Sequence, residues 1–206
     1  MKRLLFILLL IGMSFRVFAL NVDELIEKTI QRYEDMTSFY AEFNQVYCDE
    51  FLGTCTRYEG KIYFLKPNFF RMEMDNPQQI YVGDSMSLWV YLPEQKRAIR
   101  QSLGKMPFQI NPNIFLKDYE KTFNAELTKE SKDYFEITLT PKEETEIYKK
   151  ISITIKNKTY EITSISILDE IGSESKFSFD KIEINKKLSR NLFQFNPPEG
   201  TKIDEY

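Results

Sequence analysis

Hydrophobic and polar positions follow a helical period near the start of the chain. Over 22–33 the apolar residues recur at the three- and four-residue spacing of one helical face, and charged residues fill most other positions. Asn21 precedes this segment as a capping residue, and the glutamate three residues later completes the spacing of a capping box. The pattern predicts a helix whose apolar face, with Leu25, Ile26 and Ile30, lies on another apolar surface.

From residue 39 onward the period changes to two. Apolar residues recur at every second position over much of 39–44, 58–64, 70–75, 88–92, 135–139, 151–155, 162–167, 177–184 and 193–195. Gly83-Asp84-Ser85 predicts the turn before one of these runs. Strand-sized segments return at short intervals with little helix between them, which predicts an antiparallel meander that curves toward a barrel. A proline-punctuated apolar stretch over 106–116 interrupts the pattern, and Pro112 can begin a short helix there.

The first nineteen residues have the three regions of a secretory signal peptide. Lys2 and Arg3 form a basic start, 4–13 is a continuous apolar run, and Ala19 is a small residue at the expected cleavage position. A spanning helix needs about 20 apolar residues, so the short run predicts a cleaved signal and not a membrane anchor. We expect 1–19 to be removed and 20–206 to fold as one domain.

Removal of the signal leaves an acidic chain with 25 Lys and Arg against 31 Asp and Glu. This balance is unfavourable for binding nucleic acid or anionic membrane surfaces. The chain contains no His, which excludes Ser-His-Asp triads, Cys-His pairs and His-ligated zinc. It also lacks a glycine-rich phosphate loop and a G-x-S-x-G elbow. Two of the many scattered carboxylates could still form a glycosidase pair in space, but nothing in the sequence favours one. We therefore expect a protein that is not an enzyme and has no cofactor and no metal.

Cys48 and Cys55 flank six residues, and strand-like sequence lies on both sides. In the oxidising compartment that a signal peptide implies, this spacing favours a disulfide across a hairpin loop. Two free thiols or a metal pair are the alternatives, and two thiolates without His make a weak metal site.

The aromatic and aliphatic strand residues have two interpretations. The simpler one is an ordinary filled core. A curved sheet under a helix can also leave part of its apolar interior open to an apolar ligand. Met72, Met74 and Met106 would suit such a lining, because methionine repacks easily.

Four motifs, taken in order, resemble the LolA family, periplasmic carriers that move lipoproteins from the inner to the outer bacterial membrane. They are S-F-x-A-x-F-x-Q at 38–45, G-x-I-x-F-x-K-P-x-x-F-R at 60–71, G-D-x-x-x-L-W-x-Y-x-P at 83–93 and F-x-F-x-P-P-x-G at 193–200. Together they extend over nearly the whole mature chain. Each motif alone is weak, and the order makes the resemblance fairly specific.

The resemblance implies a mainly β fold, an incomplete antiparallel β-barrel with an α-helical lid over an apolar cavity. The helix at 22–33 and the insert around 112–117 are the expected lid elements. Lys66 occupies the position of a basic residue, Arg in the best-known members, that ties the lid to the barrel. Phe70 matches an aromatic position implicated in ligand handling and in contact with the releasing machinery. The residues expected to form the lid and the cavity are Leu25, Ile26, Ile30, Phe43, Ile62, Phe64, Lys66, Phe70, Met72, Met74, Leu88, Val90, Ile114 and Phe115.

The resemblance also implies partners and a location. The expected cargo is an acylated lipoprotein, released by an ATP-driven inner-membrane transporter and delivered by a monomeric periplasmic carrier to an outer-membrane acceptor. The alternatives are a carrier of another lipid or glycolipid with the same fold, and a secreted, non-enzymatic β-rich binding module with a filled core.

Overall fold

One helix and one large sheet account for most of the computed structural model, which describes residues 21–84, 86–102, 115–143 and 147–206. The α-helices among these residues are α1 (Val22–Glu34) and α2 (Tyr119–Thr122). The strands are β1 (Ser38–Asp49), β2 (Thr54–Leu65), β3 (Phe69–Asp75), β4 (Gln78–Gly83), β5 (Ser87–Leu92), β6 (Arg97–Ser102), β7 (Phe123–Glu130), β8 (Tyr134–Pro141), β9 (Lys150–Lys156), β10 (Ile162–Leu168), β11 (Glu174–Ile184) and β12 (Lys202–Glu205). The predicted helix over 22–33 is confirmed to within one residue.

The twelve strands form a single sheet in the order β12-β6-β5-β4-β3-β2-β1-β11-β10-β9-β8-β7. Two antiparallel meanders, β1–β6 and β7–β11, are joined where β1 pairs with β11. Strands β7 and β12 stand at opposite ends of this order, so the sheet is not closed. The prediction of an incomplete antiparallel barrel is confirmed, with one difference: β12 pairs parallel with β6.

Three irregularities in register favour the curvature of this sheet. They lie in β1 between Tyr40 and Glu42, in β7 between Leu127 and Lys129, and in β10 between Ile162 and Ser164. Bulges bend a strand and increase its local twist.

We call the face that α1 covers the inner face, and the opposite one the outer face.

The core lies between α1 and the inner face. On β9, Ile151, Ile153 and Ile155 are fully buried and alternate with polar residues. Leu25 and Ile26 of α1 belong to the same buried cluster. Each fully buried aliphatic side chain stabilises the fold by about 1.5–3 kcal/mol, so this cluster dominates the packing.

The predicted strand at 193–195 is wrong. Arg190–Phe193 forms a short 3-10 helix, and the strap (residues 190–201) then crosses the outer face without joining the sheet. Phe193 packs on Phe69 with ring centroids 5.9 Å apart, and Phe195 packs on Trp89 at 5.3 Å. The prolines that follow lack the N–H groups that a strand requires. The alternation at Phe193 and Phe195 therefore reflects the packing of their rings on the sheet and not strand pairing.

The strap leads into β12, which an ion pair holds on the sheet edge. The Arg97 guanidinium donates to the Asp204 carboxylate. That hydrogen bond is the main cause of the lowered pKa of Asp204. A lowered folded-state pKa means that the contact stabilises β12 at neutral pH and is lost as the pH falls through that pKa.

A disulfide joins Cys48 and Cys55 at the distal end of the β1–β2 hairpin, where the two residues are paired across the strands. Replacing both by Ser is expected to lower the free energy of unfolding by about 2.5 kcal/mol, because the short loop is no longer constrained in the unfolded chain. Urea unfolding of the double variant and of the wild type measures this difference. Unchanged stability would show that the hairpin is held by strand pairing alone.

Candidate functional site

The sheet register brings the predicted cavity residues to one face. Cross-strand partners share a face of a sheet. Phe64 is paired with Phe70, which is paired with Gly83 and through it with Leu88. The next row along the strands is also paired from strand to strand, and it consists of Ile62, Met72, Tyr81 and Val90. The third row contains Phe43, Gly60 and Met74. These rows are part of the inner face.

The described residues divide the predicted set into three groups. Leu25, Ile26, Phe43, Ile62 and Met74 are buried members of the cluster under α1, and Ile30, Phe64, Met72 and Phe115 are half-buried and pack against it. Phe70 and Leu88 are buried and Val90 is half-buried, but these three lie outside that cluster. Ile114 and Met106 lie outside the described residues, as do residues 112–114 of the insert over 112–117. The described helix of that region is α2, which begins at Tyr119.

Polar contacts fasten α1 at both ends. Among the described residues we call four of these contacts the clasps: Tyr119–Asp23, Lys66–Glu34, Arg32–Glu161 and Tyr33–Ile162. At the N-terminal end, the Tyr119 hydroxyl donates to Asp23 Oδ1 over 2.5 Å. At the C-terminal end, Lys66 Nζ donates to the backbone carbonyl oxygen of Glu34. Lys66 is exposed, so its stem reaches this carbonyl across the protein surface. The position expected to tie the lid to the barrel therefore does contact the last residue of α1.

Two further clasps join α1 to the start of β10. Arg32 Nη2 lies 3.3 Å from Glu161 Oε1. The Ile162 backbone N–H donates to the Tyr33 hydroxyl oxygen over 2.8 Å, and this contact is buried. The ammonium of Lys28 also lies 5.5 Å from the centre of the Tyr160 ring.

The two clasp tyrosines are poor acids in this environment. Burial raises the pKa of the Tyr33 hydroxyl. Burial also raises the pKa of Tyr119, and the hydrogen bond to Asp23 raises it further. Both hydroxyls therefore keep their protons at any physiological pH, so neither tyrosine acts as a pH switch.

The connection between α1 and β1 is anchored. Asn185 Oδ1 accepts hydrogen bonds from the backbone N–H and the hydroxyl of Thr37, at 2.7 and 3.1 Å. The backbone N–H of Lys66 donates to the Thr37 carbonyl oxygen over 2.9 Å. A helix of 13 residues is about 20 Å long, so rotation about this anchor would move the Asp23 end furthest.

Sequence reasoning identified Lys66 but missed the other clasps. Asp23 and Tyr119 are 96 positions apart, and Tyr33 and Ile162 are 129 apart. Contacts at such separation leave no local pattern. Only the position of Tyr33 on the apolar face of the helix was visible in the sequence.

The inner face offers apolar contact and little polar chemistry. In the ranges that the structure describes, no group of three His, Cys, Asp or Glu side chains is placed to hold a metal ion. No helix of those ranges is both long and apolar enough to span a bilayer. The arrangement suits burial of aliphatic chains under a helix that polar contacts hold in place.

Comparison with known proteins gives a consistent result. The family model described as outer membrane lipoprotein carrier protein LolA matches residues 34–196. The outer-membrane lipoprotein carrier protein of Aliivibrio fischeri is 28% identical, covering 100% of this chain and 99% of its own length. The protein of the same name from Photorhabdus laumondii is 27% identical over 100% and 98% of the two chains.

Solved structures share the fold at low sequence identity. An uncharacterized conserved protein from Thermus thermophilus superposes with a TM-score of 0.60 at 11% identity, covering 89% of this chain and 98% of its own. The Mycobacterium tuberculosis lipoprotein LppX superposes with a TM-score of 0.51, also at 11% identity, covering 81% and 96%. These likenesses concern the fold alone.

Proposed function

Because the chain belongs to the LolA family of outer membrane lipoprotein carrier proteins, we infer that it carries acylated lipoproteins. The structural observation that supports this function best is the arrangement of α1. Its apolar face closes over the inner face, and a few polar clasps near its ends add to this fastening. Such a helix is a lid that can be displaced without unfolding the sheet.

The cost of exposing acyl chains to water favours transport of the lipoprotein inside a carrier. Burial of one CH₂ is worth about 0.8 kcal/mol, so exposing three acyl chains of about 15 methylenes each to water would cost roughly 36 kcal/mol. Opening the lid exposes the apolar face of α1, at about 1.5–3 kcal/mol for each large side chain. Acyl burial under the lid therefore offsets the cost of opening. A two-state carrier follows, with the lid closed when empty and open when loaded.

Binding alone does not extract a lipoprotein, because a bilayer is as apolar as the carrier interior. We propose that an ATP-driven inner-membrane transporter supplies the energy for loading, and that an outer-membrane acceptor receives the cargo. The chain would act as a monomer that binds and releases its cargo without converting it chemically. Residues 1–19 would be a cleaved signal peptide, and the Cys48–Cys55 disulfide suits the oxidising periplasm.

Competition with a defined ligand tests this function. The mature protein is expected to bind a fluorescent triacylated lipopeptide saturably. Unlabelled triacylated lipopeptide should displace the probe, and the same peptide without acyl chains should not. Stronger displacement by phospholipid or glycolipid would favour a carrier of another lipid, and absence of saturable binding would favour a filled binding module.

Replacing Lys66 by Met is expected to strengthen lipopeptide binding about two- to five-fold. The contact with Glu34 holds the last residue of α1 beside the anchor at Thr37, so its loss should ease rotation of the helix and increase the population that can accept ligand. Fluorescence titration measures the change. Lys66→Arg keeps a donor and should stay near the wild type, and Lys187→Met removes an exposed lysine elsewhere. Weaker binding by Lys66→Met would contradict a latch at this position.

A further inference from the structure

Three large apolar side chains are exposed together at the far end of the β1–β2 hairpin. Phe51 is 83% exposed and Leu52 is 73% exposed in the loop between the two cysteines. Ile171, in the turn between β10 and β11, is 58% exposed. We call the loops 49–54 and 169–173 together the tip.

The two loops of the tip contact each other. The backbone N–H of Glu50 donates to Ser173 Oγ over 3.2 Å. A Cβ built on Gly172 would lie 3.1 Å from Glu50 Cγ, so the two chains approach closely there. Cys48 is paired with Glu174 across β1 and β11. The apolar residues of both loops are therefore neighbours on one projection.

The tip is also held rigid. The disulfide closes the hairpin just behind Phe51 and Leu52. Asp49 Oδ1 accepts from the Leu52 backbone N–H over 2.9 Å, and Asp169 Oδ1 accepts from those of Ile171 and Ser173 at 3.1 and 2.8 Å. A fold that fixes a loop while leaving its largest apolar side chains in water presents a preorganised contact surface.

The hairpin carries the tip away from the lid. Strand β3 pairs with β2 only over Gly60–Leu65, so the distal half of β2 extends past it. The tip lies about 20 Å beyond Phe43 along the strand, at the usual rise per residue. It has no member in the core cluster under α1.

The charges around the tip restrict what could cover it. Residues 47–56 and 168–175 contain five acids and no base: Asp49, Glu50, Asp169, Glu170 and Glu174. Bases begin beside these segments, at Arg57 and Lys176 and at Lys149 and Lys150 opposite Leu168. An anionic lipid surface would be repelled by this rim. A convex apolar tip buries its area best in a concave pocket, and an acidic rim is complementary to basic residues at the edge of that pocket.

We propose that the tip docks into an apolar pocket, edged by Lys and Arg, on a membrane protein with which the carrier exchanges cargo. The location of the partner rests on the proposed carrier function. The chemistry of its pocket rests on Phe51, Leu52 and the acidic rim. The tip sets which membrane protein the carrier meets, while the interior under α1 takes the cargo.

Binding of the mature protein to membrane vesicles tests the proposal. Inner- and outer-membrane vesicles of the source organism are measured separately by sedimentation, beside protease-treated vesicles and liposomes made from the extracted lipids. We expect binding to at least one kind of vesicle, loss of that binding after protease treatment, and none to the liposomes. The double variant Phe51→Ser/Leu52→Ser should bind about tenfold more weakly or worse.

A charge reversal and a matched control separate the possible partners. Glu50→Lys/Glu170→Lys should weaken vesicle binding, because the rim would then face bases. Tighter binding of this variant, or equal binding of the wild type to protein-free liposomes, would indicate a lipid surface and overturn the proposal. Met86→Ser/Ile203→Ser removes two exposed apolar side chains elsewhere and should bind like the wild type. The proposal would also be overturned if Phe51→Ser/Leu52→Ser bound the vesicles as well as the wild type does, or if no form bound them.

Lipopeptide uptake separates this proposal from the carrier function. Both tip variants should take up lipopeptide like the wild type, because the tip lies outside the cluster under α1. Impaired uptake would overturn a separate role for the tip. The vesicle measurement requires no acyl ligand, so the two proposals can fail independently.

Discussion

Replacing Leu25 by Glu is expected to abolish lipopeptide uptake, with binding weakened about 100-fold or more. Leu25 is fully buried between α1 and the inner face. Loss of a buried leucine costs roughly 3 kcal/mol or more, and a carboxylate in this place adds a desolvation cost. In the open, loaded state this face of α1 would contact the acyl chains, and the carboxylate would replace that apolar contact with a charge. Fluorescence titration with the triacylated lipopeptide measures the loss.

The same helix provides the control for this experiment. Gln31 is exposed on α1, and Gln31→Glu adds an equal charge to the same element without burying it. This control should bind lipopeptide within about twofold of the wild type, as exposed substitutions usually have small effects. Near-normal uptake by Leu25→Glu would show that α1 does not act as the lid.

Replacing Gly60 by Ala is expected to lower the free energy of unfolding by about 3 kcal/mol or more. The new Cβ would lie 2.0 Å from the backbone carbonyl oxygen of Glu73 and 2.9 Å from two ring carbons of Phe43. Backbone cannot move away without breaking the pairing of β2 with β3, and overpacking of this kind typically costs 1–3 kcal/mol even where neighbours can yield. Urea unfolding measures the free energy difference.

Gly200 is the comparison for Gly60. It has a φ of +79° and nothing within 4 Å of an added Cβ, so Gly200→Ala should cost only about 1 kcal/mol of backbone strain. Equal losses of stability in the two variants would mean that the close contacts around Gly60 do not determine the cost of the added methyl group.

Local patterns were sufficient to predict much of the fold. The three- and four-residue spacing predicted α1, because an amphipathic helix on a sheet needs one apolar face. Strict alternation predicted β9, whose isoleucines all point to the interior. Alternation failed at Phe193 and Phe195, because residues that dock side by side on an outer face show the same period as a strand.

The candidate site was only partly predictable. Lys66 was visible because it is followed by proline in a recognisable motif, and its contact with α1 could be anticipated by resemblance. The clasps made by Tyr119 and Glu161 join distant parts of the chain, so no local spacing indicates them. The exposure of Phe51 could not be read from the sequence either, since an aromatic residue in a strand-rich chain is more often buried.

The central claim is that this chain accepts acylated lipoproteins released from the inner membrane and keeps them soluble. Spheroplasts of the source organism, labelled with radioactive palmitate, can be incubated with the purified mature protein and then sedimented. The account predicts labelled lipoproteins in the supernatant in a complex with the wild type, and none with Leu25→Glu. A supernatant without labelled lipoprotein above the level of buffer alone, despite folded wild-type protein, would contradict it.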